Sequence, residues 1–250
     1  MSFRSALQLQ KDSSEGDYLE NDTSTGLGKR QGISLIRRNR IELAAEHLPV
    51  FYPKGGMFFL EGATATGVFL LHSGRVKESM VSSMGKTAIV RVVGPGAILG
   101  LSAVLTGSPH ESTAEPLEPS HADFIRKGHF LHLLKTSRGL NQLVASQLLS
   151  NQNEANATIR CLAVSSSVSE RLARLLLHWA ECPTANQDHR TAKVRIQVPL
   201  THEEIGQSIG STRETMSRLL GEFRKKKWIT MNGRIWTITN GPAIRRLAAV

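Results

Sequence analysis

The 250-residue chain has only two cysteines, Cys161 and Cys182, and lacks any long uninterrupted apolar run. Two thiols cannot supply the four ligands of an iron–sulfur cluster or a paired zinc framework, so we expect reduced thiols. No stretch approaches the roughly 20 apolar residues that a membrane span requires, and no signal-peptide pattern opens the chain. These absences predict a cytoplasmic protein without a membrane partner.

The sequence also lacks the local signatures of common enzyme classes. It contains no nucleophile elbow, no Walker phosphate loop and no glycine fingerprint for dinucleotides. His129 and His132 have the spacing of neighbours on a helix, but two ligands without a matching third make a weak metal site. We therefore predict no enzyme activity, no metal and no cofactor.

Positive charge is abundant and unevenly placed. The chain carries 31 Lys and Arg against 21 Asp and Glu, a net charge of +10. From Ser165 onward there are 14 basic and 7 acidic residues, so most of the excess lies in the last third. This asymmetry is typical of a module that binds a polyanion such as DNA, although charge alone would also suit a membrane surface.

Two short helices joined by a tight turn are predicted in that basic third. Thr201 and Glu204 have the spacing of a capping box, and so do Ser211 and Glu214. Gly210 stands between the two pairs, where a left-handed turn costs a glycine little. Apolar residues recur on one face of each segment, as expected for packed helices. The pattern predicts a helix-turn-helix, whose second helix enters the DNA major groove.

Four residues of the second helix lie outside its apolar face: Arg213, Glu214, Ser217 and Arg218. An arginine can donate two hydrogen bonds to a guanine edge, and a carboxylate can accept one from cytosine. We assign these four residues to base reading. The alternative is an ordinary surface helix in which Glu214 serves as a cap alone.

A basic run and a predicted hairpin follow. Arg224–Lys227 can neutralise phosphates, and we assign Lys225 to such a contact, although a solvated helix end explains the same run. Asn232 and Gly233 separate two β-prone runs, which predicts a type I′ turn with positive φ at both central residues. A hairpin directly after a helix-turn-helix predicts a winged arrangement.

The first half of the chain has a different sequence pattern. Short apolar runs alternate with glycines, which predicts a closed or folded β-structure that holds a small ligand or is filled by side chains. The runs are Met57–Leu60, Val68–Leu71, Ala88–Val93 and Ala97–Leu99.

A helical stretch from about Ser137 to Leu162 links the two halves. It would be about 37 Å long, and its partly apolar stripe suits packing between two chains, with burial against the β-structure as the alternative. Ser165–Ser169 resembles a hinge, and Ser167 with Glu170 predicts a third capping box. Residues 1–32 are polar and predict a disordered tail.

This order of parts resembles the CRP/FNR family of bacterial transcription regulators over about residues 33–240. The resemblance is most specific in the helix-turn-helix block. The segments that carry it are Tyr52–Gly56, Phe59–Gly62, Val68–Lys77, Gly94–Gly100, Val168–Leu177 and Leu200–Leu220.

The resemblance implies an α+β fold in three parts. A jelly-roll-like β-roll of the cyclic-nucleotide-binding type would span residues 33–135, a dimerisation helix 136–164, and a winged helix-turn-helix domain 165–250. The family's base-reading positions fall on the four residues assigned above, which implies a palindrome with TGTGA-like half-sites. Thr201, Ser211 and Thr212 stand where family members touch phosphates.

The sensory end departs from the family pattern. Where cyclic-nucleotide binders carry Gly-Glu, this chain has Gly100 followed by Leu101, and their Arg-Ser becomes Glu111 and Ser112. A carboxylate at Glu111 would repel the phosphate that an arginine should pair with. Asn156 stands where such members contact the base. Control by cyclic AMP is therefore not expected, which leaves a ligandless roll or a less anionic, unidentified effector.

We predict a homodimeric regulator that binds an inverted repeat in double-stranded DNA, with RNA polymerase as a candidate partner. Activation or repression would depend on where the operator lies. The alternative is a small-molecule sensor that acts mainly through protein contacts, although two base-reading arginines argue against it.

Overall fold

The computed structural model describes residues 47–165, 167–181, 186–188 and 193–249. The predicted tail, the start of the predicted sensor region and Cys182 lie outside the described residues. Cys161 is a free thiol, and burial raises its pKa although Arg171 and Arg174 act in the opposite direction.

Strands dominate the first half of the described chain and helices the second. The strands are β1 (His47–Tyr52), β2 (Gly67–Ser73), β3 (Val76–Val81), β4 (Thr87–Val93), β5 (Ile98–Leu99), β6 (Thr113–Pro116), β7 (Ser120–Arg126), β8 (Asn186–Asp188), β9 (Lys193–Gln197), β10 (Ile229–Asn232) and β11 (Ile235–Ile238). The helices are α1 (Leu101–Thr106), α2 (Lys127–Thr136), α3 (Arg138–Val164), α4 (Val168–Glu181), α5 (His202–Ser208), α6 (Arg213–Lys225) and α7 (Gly241–Ala248).

The N-terminal half is the predicted β-roll. One antiparallel sheet has the strand order β1-β7-β2-β5, and the other has the order β4-β3-β6. Apolar side chains from both sheets fill the space between them, among them Phe69, Leu71, Val76 and Leu99. Three of the four apolar runs contain strands, as predicted.

The prediction of a strand at Met57–Leu60 is wrong. This segment has a single bridge, between Phe59 and Ala114, and only Phe58 within it is buried. Left-handed turns at Gly55 (φ 80°) and Gly62 (φ 79°) break the chain on both sides, so no second pair of residues aligns with a neighbouring strand.

Only the first turns of the long helix α3 are buried against the roll. Ser137 caps it by accepting a hydrogen bond from the Leu140 backbone amide. Leu140 and Val144 are buried with Phe130 of α2, which fits the alternative of packing on the chain's own β-structure for this first part. Beyond Val144 no residue of α3 is buried. None of the helices in the described segments is long and apolar enough to cross a membrane.

The C-terminal half is built around a further apolar cluster. A sheet with the order β10-β11-β9-β8 packs with α4–α7 around one apolar cluster. Leu172 and Leu176 of α4, Ile205 of α5 and Leu220 of α6 are at most 1% exposed within it. In the linker before α4, Ser167 Oγ accepts from the Glu170 amide at 3.2 Å, which gives half of the third predicted capping box.

Candidate DNA-binding surface and effector cavity

The first helix of the helix-turn-helix begins with the predicted capping box. Thr201 Oγ1 accepts a hydrogen bond from the Glu204 amide at 3.2 Å, and Glu204 Oε2 accepts from the Thr201 amide at 2.9 Å. Two amides that no helical carbonyl can reach are thereby satisfied, which fixes where α5 starts.

The second capping box, predicted at Ser211 and Glu214, is wrong. Helix α6 starts one residue later, and Thr212 Oγ1 accepts from the Thr215 amide at 3.3 Å. Ser211 still belongs to the turn, because its amide donates to the Gly206 carbonyl at 2.8 Å. Gly210 has φ 64° in this turn. Glu214 therefore does not serve in a capping box with Ser211, and it is exposed on the surface.

Helix α6 divides sharply into two faces. Met216, Leu219, Leu220 and Phe223 are buried in the core. The predicted base-reading residues Arg213, Glu214, Ser217 and Arg218 are all exposed on the other side. The structure thus brings these four residues together on one accessible surface, which we call the reading face.

Contacts within the reading face are few and weak. Arg218 Nη1 donates to Glu222 Oε1 at 2.9 Å, but the Arg218 side chain remains 66% exposed, so this pair contributes little and is readily exchanged. Ser217 Oγ lies 3.1 Å from His202 Nδ1 of the first helix. Sequence reasoning missed His202, although its position directly after the Thr201 cap is a signal that it faces the second helix.

The predicted phosphate contacts surround the reading face. Thr201, Thr212 and Lys225 are exposed, and Ser211 is half-buried. Both threonine hydroxyls donate within the protein, Thr201 Oγ1 to Glu204 Oε2 at 3.0 Å and Thr212 Oγ1 to Thr215 Oγ1 at 3.1 Å. A phosphate at these positions would therefore depend on the amides at the start of α6, which point outward with the positive end of the helix dipole.

The wing is present, but its turn differs from the prediction. Asn232 pairs with Ile235, so the two central residues are Gly233 and Arg234 rather than Asn232 and Gly233. Only Gly233 has a positive φ, at 56°, which excludes type I′. Trp236 Nε1 donates to the Gly233 carbonyl at 3.3 Å and holds the turn in this register.

A cavity of about 530 Å³ lies between the β-roll and α3. Gly100, Leu101, Glu111 and Ser112 line it, so the structure brings four of the predicted effector residues together. Asn156 is exposed and is not among the lining residues. Successive helical residues point about 100° apart, and Ala155, Thr158 and Ile159 line the cavity instead, so the assignment of Asn156 to the effector pocket stays a prediction.

The cavity holds one buried ion pair that sequence reasoning missed. Arg91 Nε and Nη2 donate to Glu78 Oε2 and Oε1, both at 2.8 Å, and the Glu78 side chain is only 7% exposed. Ser112 Oγ lies 3.5 Å from Glu78 Oε2. Opposite charges on adjacent β-prone segments were a signal that these strands pair. Glu78 takes the Nε and Nη2 donors on one edge of the Arg91 guanidinium and neutralises its charge, so a phosphate would have to compete with a buried carboxylate for this arginine.

The remaining polar groups do not add positive charge. His110 stacks on Phe59 with ring centroids 3.8 Å apart, and burial lowers the pKa of His110 although the charge of Glu78 acts to raise it. The imidazole is therefore neutral at pH 7. In the part of the chain that the structure describes, no group of three or more His, Cys, Asp or Glu side chains is placed to hold a metal.

Comparison with known proteins gives matches over both halves. Residues 49–137 match the cyclic nucleotide-binding domain, and residues 170–247 match the Crp-like helix-turn-helix domain. The chain is 24% identical over 200 residues to a CRP-like cAMP-activated global transcriptional regulator of Mycobacterium tuberculosis, covering 80% of this chain and 88% of that protein. It is 28% identical over 197 residues to the fumarate and nitrate reduction regulatory protein of Vibrio cholerae, covering 79% and 77%.

Solved structures share the fold. FixK2 from Bradyrhizobium japonicum superposes with a TM-score of 0.69 at 19% identity, covering 82% of this chain and 98% of that one. A CRP/FNR-family transcriptional regulator from Thermus thermophilus gives a TM-score of 0.63 at 22% identity, covering 81% and 99%. These structures share the fold, and the two domain matches with the named relatives identify the chain as a CRP/FNR-type transcription regulator, a member of a family of DNA-binding proteins and not of enzymes.

Proposed function

We propose that two copies of this chain bind an inverted repeat with TGTGA-like half-sites, and that cyclic AMP does not control the binding. The observation that carries the first part is the reading face. Its two arginines, one glutamate and one serine are exposed at the start of a capped helix whose opposite side is buried.

The chemistry of the reading face matches these half-sites. Guanine offers two acceptors, O6 and N7, on its major-groove edge, and an arginine fork fits both. Arg213 and Arg218 lie five positions apart, about 7.5 Å along the helix axis, so they can reach different base pairs in one groove. Glu214, released from capping, can accept from a cytosine amino group.

The exposed part of α3 supports the dimer. Leu149, Gln152, Asn156, Ile159 and Ala163 follow the alternating three- and four-residue spacing of a two-helix seam, and all five are exposed. Ile159 is 61% and Leu149 62% exposed in a single chain. Exposing these large apolar side chains to water costs free energy, and the α3 helix of a second copy, related by two-fold symmetry, would cover them.

The charges of the cavity argue against cyclic AMP. Arg91 is the one Lys or Arg among the cavity's lining residues, and Glu78 already occupies it. Glu111 adds a further negative charge at the position where a phosphate partner is needed. Lining residues such as Leu101, Met80 and Val90 are apolar. An effector here would be uncharged or cationic, with an apolar body.

Fluorescence anisotropy on three labelled duplexes tests the DNA proposal. The first carries two TGTGA half-sites one helical turn apart, the second carries one half-site, and the third has the guanines of both half-sites replaced. We expect affinities to fall in that order, with a loss of at least tenfold from the first duplex to the third. Equal affinity for the first and third duplexes would refute sequence-specific reading.

Sedimentation velocity tests the dimer separately. Replacing Leu149 and Ile159 with glutamate should shift the protein towards monomer, because four charges would then meet in the seam of the dimer. Leu48→Glu, at an apolar side chain 51% exposed on β1, is the matched control and should leave the dimer intact. A monomeric wild-type protein at micromolar concentration would contradict the proposal.

A further inference from the structure

We propose that Lys77, on strand β3 of the β-roll, is a positioning residue that holds the DNA-reading domain at the orientation required by an inverted repeat. This inference rests on the proposed function. Lys77 does not belong to the reading face, and neither the sequence motifs nor the domain matches assign it a role.

Lys77 joins the two halves of the molecule through an ion pair. Its Nζ donates to Glu204 Oε1 at 2.8 Å and lies 3.2 Å from Glu115 Oε2 of β6. The side chains of Lys77 and Glu204 are only 14% and 16% exposed. Glu204 is also the capping residue of α5, and its other oxygen accepts from the Thr201 amide at 2.9 Å. One carboxylate therefore fixes the start of the helix-turn-helix and anchors it to the roll.

The pKa values agree with a strong contact. Burial alone would lower the pKa of Lys77, but the hydrogen bond and charge of Glu204, with those of Glu115, outweigh it and raise the pKa. Burial alone would raise the pKa of Glu204, but Lys77 and the capping bonds from Thr201 lower it. Both groups are charged at neutral pH.

Apolar contacts surround the ion pair. Ile89 of β4 and Leu117 are 4% exposed and belong to the same apolar cluster as Ile205 of α5, with Val92 packed against it. Val92 pairs directly with Lys77, and a bulge between the Glu78 and Ser79 pairs brings Ile89 opposite Ser79, so both apolar residues lie on the same face of the sheet as Lys77. These residues and Lys77 form what we call the docking face.

A second hydrogen bond links the same two domains. Arg75 Nη2 donates to Gln197 Oε1 at 2.6 Å, between the roll and strand β9 of the DNA-binding domain. The domain is thus attached at two polar points with apolar packing between them. Two attachment points restrict rotation, which a single point would allow.

The attachment leaves the reading face accessible. Arg213, Glu214, Ser217 and Arg218 are exposed while Lys77 holds Glu204. A dimer that reads two half-sites must present its reading helices about 34 Å apart, and a domain free to rotate loses entropy when both bind together. The contacts of Lys77 restrict the orientation of the DNA-binding domain in the DNA-free protein. We infer that this restriction favours binding to the complete palindrome.

Strand β3 also gives the docking face a connection to the cavity. Glu78 follows Lys77 directly, and side chains alternate between the two faces of a strand. Lys77 therefore faces the DNA-binding domain, while Glu78 faces the cavity and holds Arg91. A ligand that shifts the Glu78–Arg91 pair would act on the strand that orients the reading domain.

The test is Lys77→Met in the full-length dimer, titrated against the palindromic and the single half-site duplexes. We expect affinity for the palindrome to fall about tenfold, the cost of one charge-assisted contact, and affinity for the half-site to stay unchanged. The slope of affinity against salt should also stay unchanged, because Lys77 touches no phosphate. Lys77→Arg should restore most of the loss, and Lys86→Met, at an exposed lysine of the roll, should change neither affinity.

Three outcomes overturn the inference. An equal loss of affinity on both duplexes would mean that Lys77 only supports folding. A salt slope reduced by about one would mean that Lys77 contacts a phosphate. Tighter binding of the palindrome would mean that docking of the domain inhibits DNA binding. If Lys77→Met does not fold, Gln197→Ala tests the same inference, because the Gln197 side chain is exposed and its removal should not disturb folding. This single change should lower affinity for the palindrome several-fold. Failure of the wild-type protein to prefer the palindrome would instead refute the proposed function.

Discussion

Arginines serve opposite purposes in the two functional regions of this molecule. On the reading face Arg218 is 66% exposed and its one partner, Glu222, is itself exposed. In the cavity the Arg91 side chain is 16% exposed, and Glu78 binds the Nε–Nη2 edge of its guanidinium through two hydrogen bonds. The first arginine can exchange its solvated partner for a base, whereas a phosphate at the second would have to compete with a buried carboxylate that already neutralises the guanidinium.

The presence of an arginine alone therefore does not define an anion-binding site. A guanidinium binds a new anion when its present partner is solvated and easily replaced. Breaking a buried, bidentate pair leaves a carboxylate without compensation, which costs several kcal/mol. Substitutions in one region at a time can therefore separate the role of the exposed arginines from that of Arg91.

The largest effect is expected from removing both arginines of the reading face. Arg213→Ala combined with Arg218→Ala should lose about 1–3 kcal/mol of discrimination at each of two base pairs. Competition titrations with single-base-pair variants of the operator would measure this. Arg246→Ala, at an exposed arginine of α7, removes a charge elsewhere in the domain and should keep the preference. Retained discrimination in the double variant would show that other residues read the sequence.

The next effect concerns the cavity. Glu78→Gln keeps the shape of the side chain but removes its charge, so Arg91 should become available to an anion. We expect cyclic AMP to bind this variant about tenfold to a hundredfold more tightly than the wild type, as measured by isothermal titration calorimetry.

Glu111→Gln is the matched control for the cavity. It removes a carboxylate that lines the same cavity but forms no ion pair with Arg91, so its gain should be smaller. Tight binding of cyclic AMP to the wild-type protein would contradict the account of the cavity.

A smaller effect tests how the reading face is held in place. Thr212→Ala should lower the free energy of unfolding by about 1 kcal/mol, because the N-cap bond to the Thr215 amide is lost. Ser211→Ala should cost clearly less, since Ser211 caps no helix. Urea denaturation followed by circular dichroism measures both losses of stability. A larger loss for Ser211→Ala than for Thr212→Ala would support the capping box at Ser211 and Glu214 that the sequence predicted.

The smallest effect is the pH dependence of the contact between the two regions. The lowered pKa of Glu204 means that its contribution to stability is complete above a glutamate's ordinary pKa, about 4.3, and is lost as pH falls further. The raised pKa of Lys77 means that its contribution is complete below about 10.4 and is lost as pH rises further.

The stability difference between wild type and Lys77→Met should therefore be constant from pH 6 to 9 and shrink in acid. Denaturation at a series of pH values measures it. A difference that changes steadily through neutral pH would exclude the ion pair as its source.

Local patterns in the sequence were sufficient for the architecture. Alternation of apolar runs and glycines predicted the roll, and the spacing of Thr201 and Glu204 predicted the first capped helix. Such patterns involve neighbours within four residues, so the chain itself encodes them. Two of the errors were shifts of one residue, at Ser211 and at Asn232, where a turn could close in either of two registers.

Long-range pairing could not be predicted in the same way. Lys77 and Glu204 are 127 positions apart, and Glu78 meets Arg91 only because β3 and β4 pair in one register. The charge state of the cavity follows from these contacts. The sequence showed that Glu111 departs from the family pattern, but the Glu78–Arg91 ion pair that lines the same cavity was visible only in the structure.

Selection of bound duplexes from a random pool, run with and without cyclic AMP, tests the central claim most directly. We predict enrichment of an inverted repeat with guanine-containing, TGTGA-like half-sites, identical in the two conditions. A pool without an inverted repeat, or a repeat that appears only with cyclic AMP, would contradict the account.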